Sequence, residues 1–280
     1  MSFSDDFAHG GALLGGLERS DGQYLNTLSA SSISTLMTCP ERFRLSYLLL
    51  RWPKGSGATA LGHAYHYALQ RNFEQKIHSQ RDMTFNELLY HYGIGWGKAL
   101  DDDIAWRKDD PGALRTLGAE MLRIYHAKLS PLVQPIAVEE RFEIAVPGVG
   151  VPLVGRIDVM EAGRILDRKT DKQGATKAKP EWRVQGLTYM AAYPNHDFAW
   201  HVQSKQGNLR TYGPEKNPGL ILRTTPGKQR AAQMLVQRAW SMLQDFYDRY
   251  GLYQPWPGVA LAHPYACTGC SHRNGCVWWT

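Results

Sequence analysis

The chain has 280 residues, 43% of them hydrophobic and 21% charged, a balance that fits a globular protein with its own core and excludes a disordered or fibrous one. No window approaches the roughly 18 uncharged apolar residues of a membrane span. Asp5 and Asp6 stand where a secretory leader would carry positive charge, so the expected location is cytoplasmic. Lys and Arg outnumber Asp and Glu by 32 to 26, and the excess is concentrated between residues 164 and 183. A basic segment of that kind suits a polyanion such as nucleic acid, and suits a solvated face equally well.

Residues 1–26 are Gly-rich and aperiodic and are expected to form a flexible leader, with a single domain over 27–280. Ser31, Ser32 and Ser34 offer caps for a short helix that turns Ile33, Leu36 and Met37 inward. Cys39-Pro40 ends it and opens a second helix to about Leu50, since proline is tolerated in a first turn. Further helices are expected over Leu61–Glu74, Thr84–Leu100 and Ala113–Leu129, which completes a helical part (27–135). The period then changes. Ile136–Val146, Val151–Met160 and Arg164–Lys169 are β-branched runs broken by Pro147-Gly148 and Ala162-Gly163, the pattern of a meander. A helix over Glu181–Tyr193 and strands at Phe198–Gln203 and Leu209–Tyr212 close a sheet-and-helix part (136–213). Thr225 caps a long helix with Pro226 in its first turn, followed by a Pro-, Trp- and Cys-rich tail (214–280 as a whole). This order predicts an α/β (α+β) domain with a central mixed sheet flanked by helices.

The chemistry gathers in Gly155-Arg156-Ile157-Asp158 and Asp167-Arg168-Lys169-Thr170. Positions i and i+2 of a strand share a face, so Asp167 and Lys169 point together and Arg168 points away. An antiparallel neighbour ending near Asp158 would bring the two carboxylates side by side. Such a pair calls for a cation, and hard oxygen donors favour Mg²⁺ or Mn²⁺. A lysine beside it can orient water or stabilise charge on a phosphate. Alone, D-x-K is a weak motif that surface pairs produce by chance. His66, in Gly62-x-x-x-His66 on a helix, adds a candidate imidazole ligand, and Gln185 and Tyr189 fall on one helix face. Glu139 or Glu140 opens the preceding strand without a role that the residues fix.

Taken in order, Cys39-Pro40 after a Ser-rich helix start, Gly62-x-x-x-His66, Gly155-x-Ile157-Asp158, Asp167-x-Lys169-Thr170 and Gln185-x-x-x-Tyr189 resemble the PD-(D/E)xK nuclease superfamily, and more narrowly its RecB-type branch. The resemblance implies a restriction-endonuclease-like core. It also implies that His66, Asp158, Asp167 and the main-chain carbonyl of Arg168 hold Mg²⁺ or Mn²⁺, that Lys169 is the catalytic lysine, and that Gln185 and Tyr189 form the branch's extra helix motif.

Cys267-x-x-Cys270-x₅-Cys276 brings three thiols together, and Cys39 is the only one left to complete four. Four thiolates hold zinc or an iron–sulfur cluster, and spacing by itself leans to zinc, with His263 and His272 nearby. The one-plus-three arrangement is similar to the iron–sulfur nucleases of the RecB-type branch, AddB and the CRISPR spacer-acquisition nucleases among them. That resemblance implies a [4Fe–4S] cluster on Cys39, Cys267, Cys270 and Cys276, with zinc as the alternative. Trp256, Tyr265, Trp278 and Trp279 are expected to shield it, or to stack on bases. The expected activity is a metal-dependent DNA exonuclease serving DNA processing, recombination or repair, of the compact kind carried by phages or CRISPR loci. The expected partners are single-stranded or duplex DNA ends and a helicase, recombinase or CRISPR protein on another chain, since no G-x-x-x-x-G-K-[ST] motor motif is present. Two rival readings are a non-catalytic nucleic-acid-binding module and a metal-stapled structural subunit.

Overall fold

The structure, a computed structural model, describes residues 16–258, 267 and 270–279. Strands β1 (Leu17–Glu18) and β2 (Tyr24–Leu25) pair as an antiparallel hairpin. Leu17 and Leu25 are buried in the core, so the latter part of the expected leader is structured after all. Two apolar side chains eight positions apart, too few to show a period, are enough to anchor a hairpin.

Strand β3 (Leu28–Ser29) runs directly into α1 (Ala30–Thr38). The cap is Ser29, earlier than the serines expected, and Ser32 answers it: the Ser29 hydroxyl accepts from Ser32 N while Ser32 Oγ accepts from Ser29 N. Cys39 ends α1 and caps α2 (Pro40–Phe43), its sulfur accepting from Arg42 N at 3.4 Å. The chain then continues as a π-helical turn over Arg44–Leu48, not as α-helix to Leu50.

A short strand β4 (Gly55–Ser56) precedes α3 (Gly57–Ser79) and α4 (Phe85–Leu100), and pairs in parallel with β5 (Ile104–Ala105). Helix α5 (Pro111–Lys128) follows, its N-terminus capped by Asp110. Next come β6 (Ala137–Ile144), β7 (Leu153–Glu161), β8 (Arg164–Asp171), α6 (Pro180–Ala192) and β9 (Asp197–Ser204). Short strands β10 (Thr211–Tyr212) and β11 (Ile221–Leu222) precede α7 (Pro226–Tyr250). Strand β11 is too short to show in the sequence pattern.

Strands β6, β7 and β8 form the expected antiparallel meander, and β9 lies parallel to β8 after the α6 crossover. With β3, β10 and β11 they make a seven-stranded mixed sheet. One face packs on α3, α4 and α5 through Val159, Leu166 and Ala199. The other packs on α6 and α7 through Ile157, Ile165, Phe198 and Trp200, with a contiguous cluster beneath α1. Covered on both faces, β8 reads as an unbroken apolar pair, Ile165-Leu166, before its polar residues begin. Among the described residues no helix is long and apolar enough to cross a membrane.

Two features of β7 make the site. Its first residues pair with β6 on one edge and β3 on the other, and its last pair with β6 and β8. Strands β3 and β8 therefore share one edge of β7 and leave residues 155–158 without a ladder partner on that edge. In addition, Ile157 and Val159 have the same parity yet lie on opposite faces of the sheet, as do Val138 and Phe142 on β6. The alternation is broken at Asp158 and, at the same skipped position of the β6–β7 ladder, at Glu139, whose φ of 54° is left-handed. A non-glycine residue held there costs on the order of 1–3 kcal/mol, and the result is a side chain aimed at the opening.

Candidate active site

Asp158 lies near the end of β7, as the sequence suggested, and the last three residues beyond it, Val159, Met160 and Glu161, pair with β8. Extended by one residue, that register sets Asp158 opposite Asp167, where the two strands part. The backbone groups freed by the parting are taken up locally. Arg168 N donates to Asp158 Oδ2 at 3.0 Å, and the Tyr189 hydroxyl donates to the Arg156 carbonyl at 2.7 Å. Gly155 is needed beside them, since a Cβ there would lie 2.5 Å from the Phe142 ring.

Asp167 and Lys169 share a face of β8, as their spacing predicts: Lys169 Nζ lies 3.1 Å from Asp167 Oδ1 and 3.0 Å from Oδ2. From α6, Gln185 Nε2 donates to Asp167 Oδ1 at 2.8 Å. Asp167 Oδ2 is buried and accepts no hydrogen bond of acceptable geometry. From α3, His66 Nδ1 stands 3.4 Å from Asp158 Oδ2. His63, one turn back, is exposed and pairs with Asp102 instead, so of the two neighbouring histidines only His66 reaches the carboxylates. Gly62 borders open space, and no packing requirement explains it.

The two aspartates are driven apart electrostatically. Burial pushes the Asp158 carboxyl up, but the His66 hydrogen bond, the Arg168 charge and the Arg168 N–H overcome it and hold the group well below the usual carboxylate range. Burial also pushes the Asp167 carboxyl up; Lys169 opposes this, Asp158 adds to it, and the group ends raised. Two acidic groups with opposed shifts in one cleft mark a site of function more often than a structural pair.

Three contributors were not singled out from the sequence. Glu139, left undecided against Glu140, reaches the cleft, where Arg156 Nε pairs with it at 2.8 Å. The side chain of Arg168 points to the α3 side, as the alternation requires, but bends toward Asp158. Ser29, Ser31 and Ser34 of β3 and α1 line a groove together with Asp158, Lys169, Gln185 and Tyr189. No spacing rule links β3 to β7, so only the fold reveals that wall. Of the basic segment, Lys172, Lys177 and Arg183 are exposed, whereas Lys179 is engaged by Asp171 and stands over the Trp182 ring.

At the opposite end of the polar inventory, Cys39, Cys267, Cys270 and Cys276 line one pocket, together with Arg42, Leu45, His272, Trp278 and Trp279. His272 donates or accepts at Ser46 Oγ (2.9 Å), and burial and the Arg42 charge push its pKa down. Trp256 is buried against Phe43 and Phe246, away from solvent. His263 and Tyr265 lie outside the described residues. Among the described residues no three His, Cys, Asp or Glu side chains are already drawn together as a metal shell. The donor chemistry nevertheless sorts cleanly: oxygens and an imidazole in the cleft suit a hard dication, with Asp167 Oδ2 held by no hydrogen bond and faced only by the Lys169 ammonium, and thiols in the pocket suit a soft metal or cluster.

A family model described as the PD-(D/E)XK nuclease superfamily matches residues 27–277. The chain belongs to that superfamily. The crystal structure of "Putative exonuclease" from Eubacterium rectale is similar in fold, with a TM-score of 0.51 at 14% identity over 93% of this chain and 94% of that one. No curated protein matches the chain. The mixed sheet with flanking helices is thus the restriction-endonuclease-like core of a nuclease superfamily, and the Asp158, Asp167 and Lys169 cleft lies where its strands divide.

Proposed function

We propose that this nuclease is a Mg²⁺- or Mn²⁺-dependent deoxyribonuclease of the RecB-type branch, acting as an exonuclease on DNA ends in DNA processing, recombination or repair. The observation that carries the reading is the convergence of Asp158, Asp167 and Lys169 at the gap between β3 and β8, in a superfamily of nucleases. Asp158, Asp167, His66 and the Arg168 carbonyl would hold the dication. When bound, it would supply Lewis acidity and lower the pKa of water.

The protein's own groups do the rest. Lys169 Nζ, held at Asp167, orients the attacking water and offsets charge on the phosphate. Gln185 fixes Asp167 Oδ1, so the carboxylate cannot turn away from the cleft. Tyr189 pins the Arg156 carbonyl and with it the strand that carries Asp158. Exposed Lys172, Lys177 and Arg183 guide the backbone of the substrate. We further propose that Cys39, Cys267, Cys270 and Cys276 hold a [4Fe–4S] cluster that clamps the tail to α1 and α2; their lining of one pocket supports it. Zinc is the second reading, favoured by His272 at that pocket. A helicase, recombinase or CRISPR protein would act on a separate chain.

The test incubates end-labelled linear and circular DNA with Mg²⁺ or Mn²⁺. Release of nucleotides from linear but not circular DNA, lowered about 10²-fold or more by Asp167→Ala and Lys169→Ala, is the expected result. Binding without degradation in either metal would leave a nucleic-acid-binding module, and neither binding nor degradation a structural subunit. Anaerobically purified protein is expected to be brown; colourless protein with stoichiometric zinc replaces the cluster.

A further inference from the structure

The side chain of Arg168 is 1% exposed, and none of its three guanidinium nitrogens makes a hydrogen bond to the described residues. A cation that deep is costly unless opposite charge faces it. Two carboxylates do, at ion-pair distance: Nε lies 3.6 Å from Asp158 Oδ2 and Nη2 lies 3.7 Å from Glu139 Oε1. The Phe73 ring, 5.5 Å from Cζ, closes the other side. Glu139 and Asp158 fall at the one position the β6–β7 ladder skips, between the pairs Val138–Val159 and Glu140–Ile157, and the second oxygen of Glu139 is taken by Arg156. Its backbone is held left-handed to reach this position.

The cleft therefore has two unlike sides. On the α6 side, the cation facing the buried Asp167 Oδ2 is Lys169, 3.0 Å away on a side chain that is 25% exposed and can swing aside for an ion. On the α3 side, both Glu139 oxygens and one Asp158 oxygen already face guanidinium nitrogens. Two-metal nuclease sites place their ions about 3.5–4 Å apart, close enough to need a bridging carboxylate and a second acidic partner. Asp158 and Glu139 would be that pair, and a built-in monocation occupies their company.

We infer that Arg168 is a positioning residue whose buried guanidinium takes the place of a second metal between Asp158 and Glu139, so that the cleft accepts one divalent cation and not two. This rests on the metal-binding reading of the same cleft. The main-chain N and O of residue 168 are untouched by side-chain substitution, so the guanidinium can be tested by itself.

The experiment titrates Mn²⁺ into the full chain without DNA, following free Mn²⁺ by electron paramagnetic resonance and heat by calorimetry, with competing sites at the thiols filled beforehand. Wild type and Arg168→Lys are expected to bind one Mn²⁺ at the carboxylates, and Arg168→Met to bind a second. Adding Glu139→Gln to Arg168→Met should remove the second ion. Glu139→Gln alone should leave the first ion's affinity unchanged, a result available even where Arg168→Met does not fold; a tenfold loss there overturns the inference. Two Mn²⁺ on wild type, or one on folded Arg168→Met, overturns it as well. Asp167→Ala separates the two levels: if it leaves Mn²⁺ binding intact, the metal reading itself fails, whereas loss of binding together with a wild-type count of two sinks only the role of Arg168.

Discussion

The carboxylate cleft takes its acidic residues from neighbouring strands of one sheet, whereas the cysteine pocket joins Cys39 to Cys267, Cys270 and Cys276 from the far end of the chain. In the cleft, ladder register sets the spacing and the carboxylates are partly neutralised by Lys169, Arg168 and Arg156 before any ion arrives. At the pocket, the chain ends are held first by a separate latch. Arg44 donates to Glu41 at 2.8 and 2.6 Å and to the Leu252 carbonyl at 3.0 Å, while Glu41 Oε2 accepts from Trp256 N at 2.7 Å. The first site is thus a property of the sheet, and the second a property of how the tail is docked.

The latch gives the largest expected effect. Glu41 and Arg44 are both buried, so Glu41→Ala leaves a guanidinium and the Trp256 amide without their acceptor. Removing one member of a buried pair costs about 3–5 kcal/mol. Denaturant unfolding should show that loss, and limited proteolysis should open the chain near residue 252. A variant as stable as wild type would mean that the thiol-lined pocket docks the tail unaided.

Beneath the cleft, His201 sharpens the contrast at a smaller scale. Its Nδ1 meets the Tyr125 hydroxyl at 2.9 Å, and burial, with Arg164 and Arg168 adding, pushes its pKa down to about 3. The unfolded chain protonates this histidine below about pH 6.5, while the folded one does not. The stabilisation is therefore complete above 6.5 and is lost as pH falls through the window toward 3. Between pH 7 and pH 5 this amounts to about 2 kcal/mol. His201→Gln, which still offers Tyr125 an acceptor, should lose correspondingly less over the same range in urea titrations. Equal losses would show that the buried floor of the cleft does not set the acid sensitivity.

Much of this was legible in the residues. The Asp167-x-Lys169 spacing dictates a shared face, and Pro40 and Pro226 each open a helix as their fixed φ allows. What could not be read depends on long-range geometry. The gap between β3 and β8 arises from two strands sharing one edge of β7, which no local pattern encodes. Glu139 and Glu140 lie on opposite faces by alternation, but the left-handed turn at Glu139 breaks that alternation, so no period in the sequence decides which of them enters the cleft. The burial of Arg168 was hidden for a related reason: period 2 gives its side, not the carboxylates that side would offer. In the tail, composition announced a site but not the Glu41–Arg44 latch, whose partners are backbone groups of residues 252 and 256.

Tyr189 tests whether the gap must be braced. Tyr189→Phe removes one hydrogen bond to the Arg156 carbonyl and keeps the ring packing on Phe142 and Phe198. The expected cost is about 1 kcal/mol of stability, with a fall in DNA degradation that exceeds it because Asp158 is two residues away. Stability and activity falling in step would mean that the brace serves the fold alone.

The smallest expected change in stability belongs to the residue on which activity depends most. Asp167 is buried with its pKa raised, so at neutral pH the fold carries its charge at a cost that the unfolded chain does not bear. Asp167→Asn removes that charge and keeps an oxygen to accept from Lys169 and Gln185. Metal-free protein should then melt at the wild-type temperature or slightly above it, while DNA degradation is lost. The sign matters more than the size. A cleft shaped by its sheet tolerates the loss of a charge it holds at a cost, and a site that depended on its ion pairs for docking, like the Glu41 latch, does not. Were Asp167→Asn to unfold as readily as Glu41→Ala, the carboxylates would be part of what holds the strands together, and the two regions would be built alike.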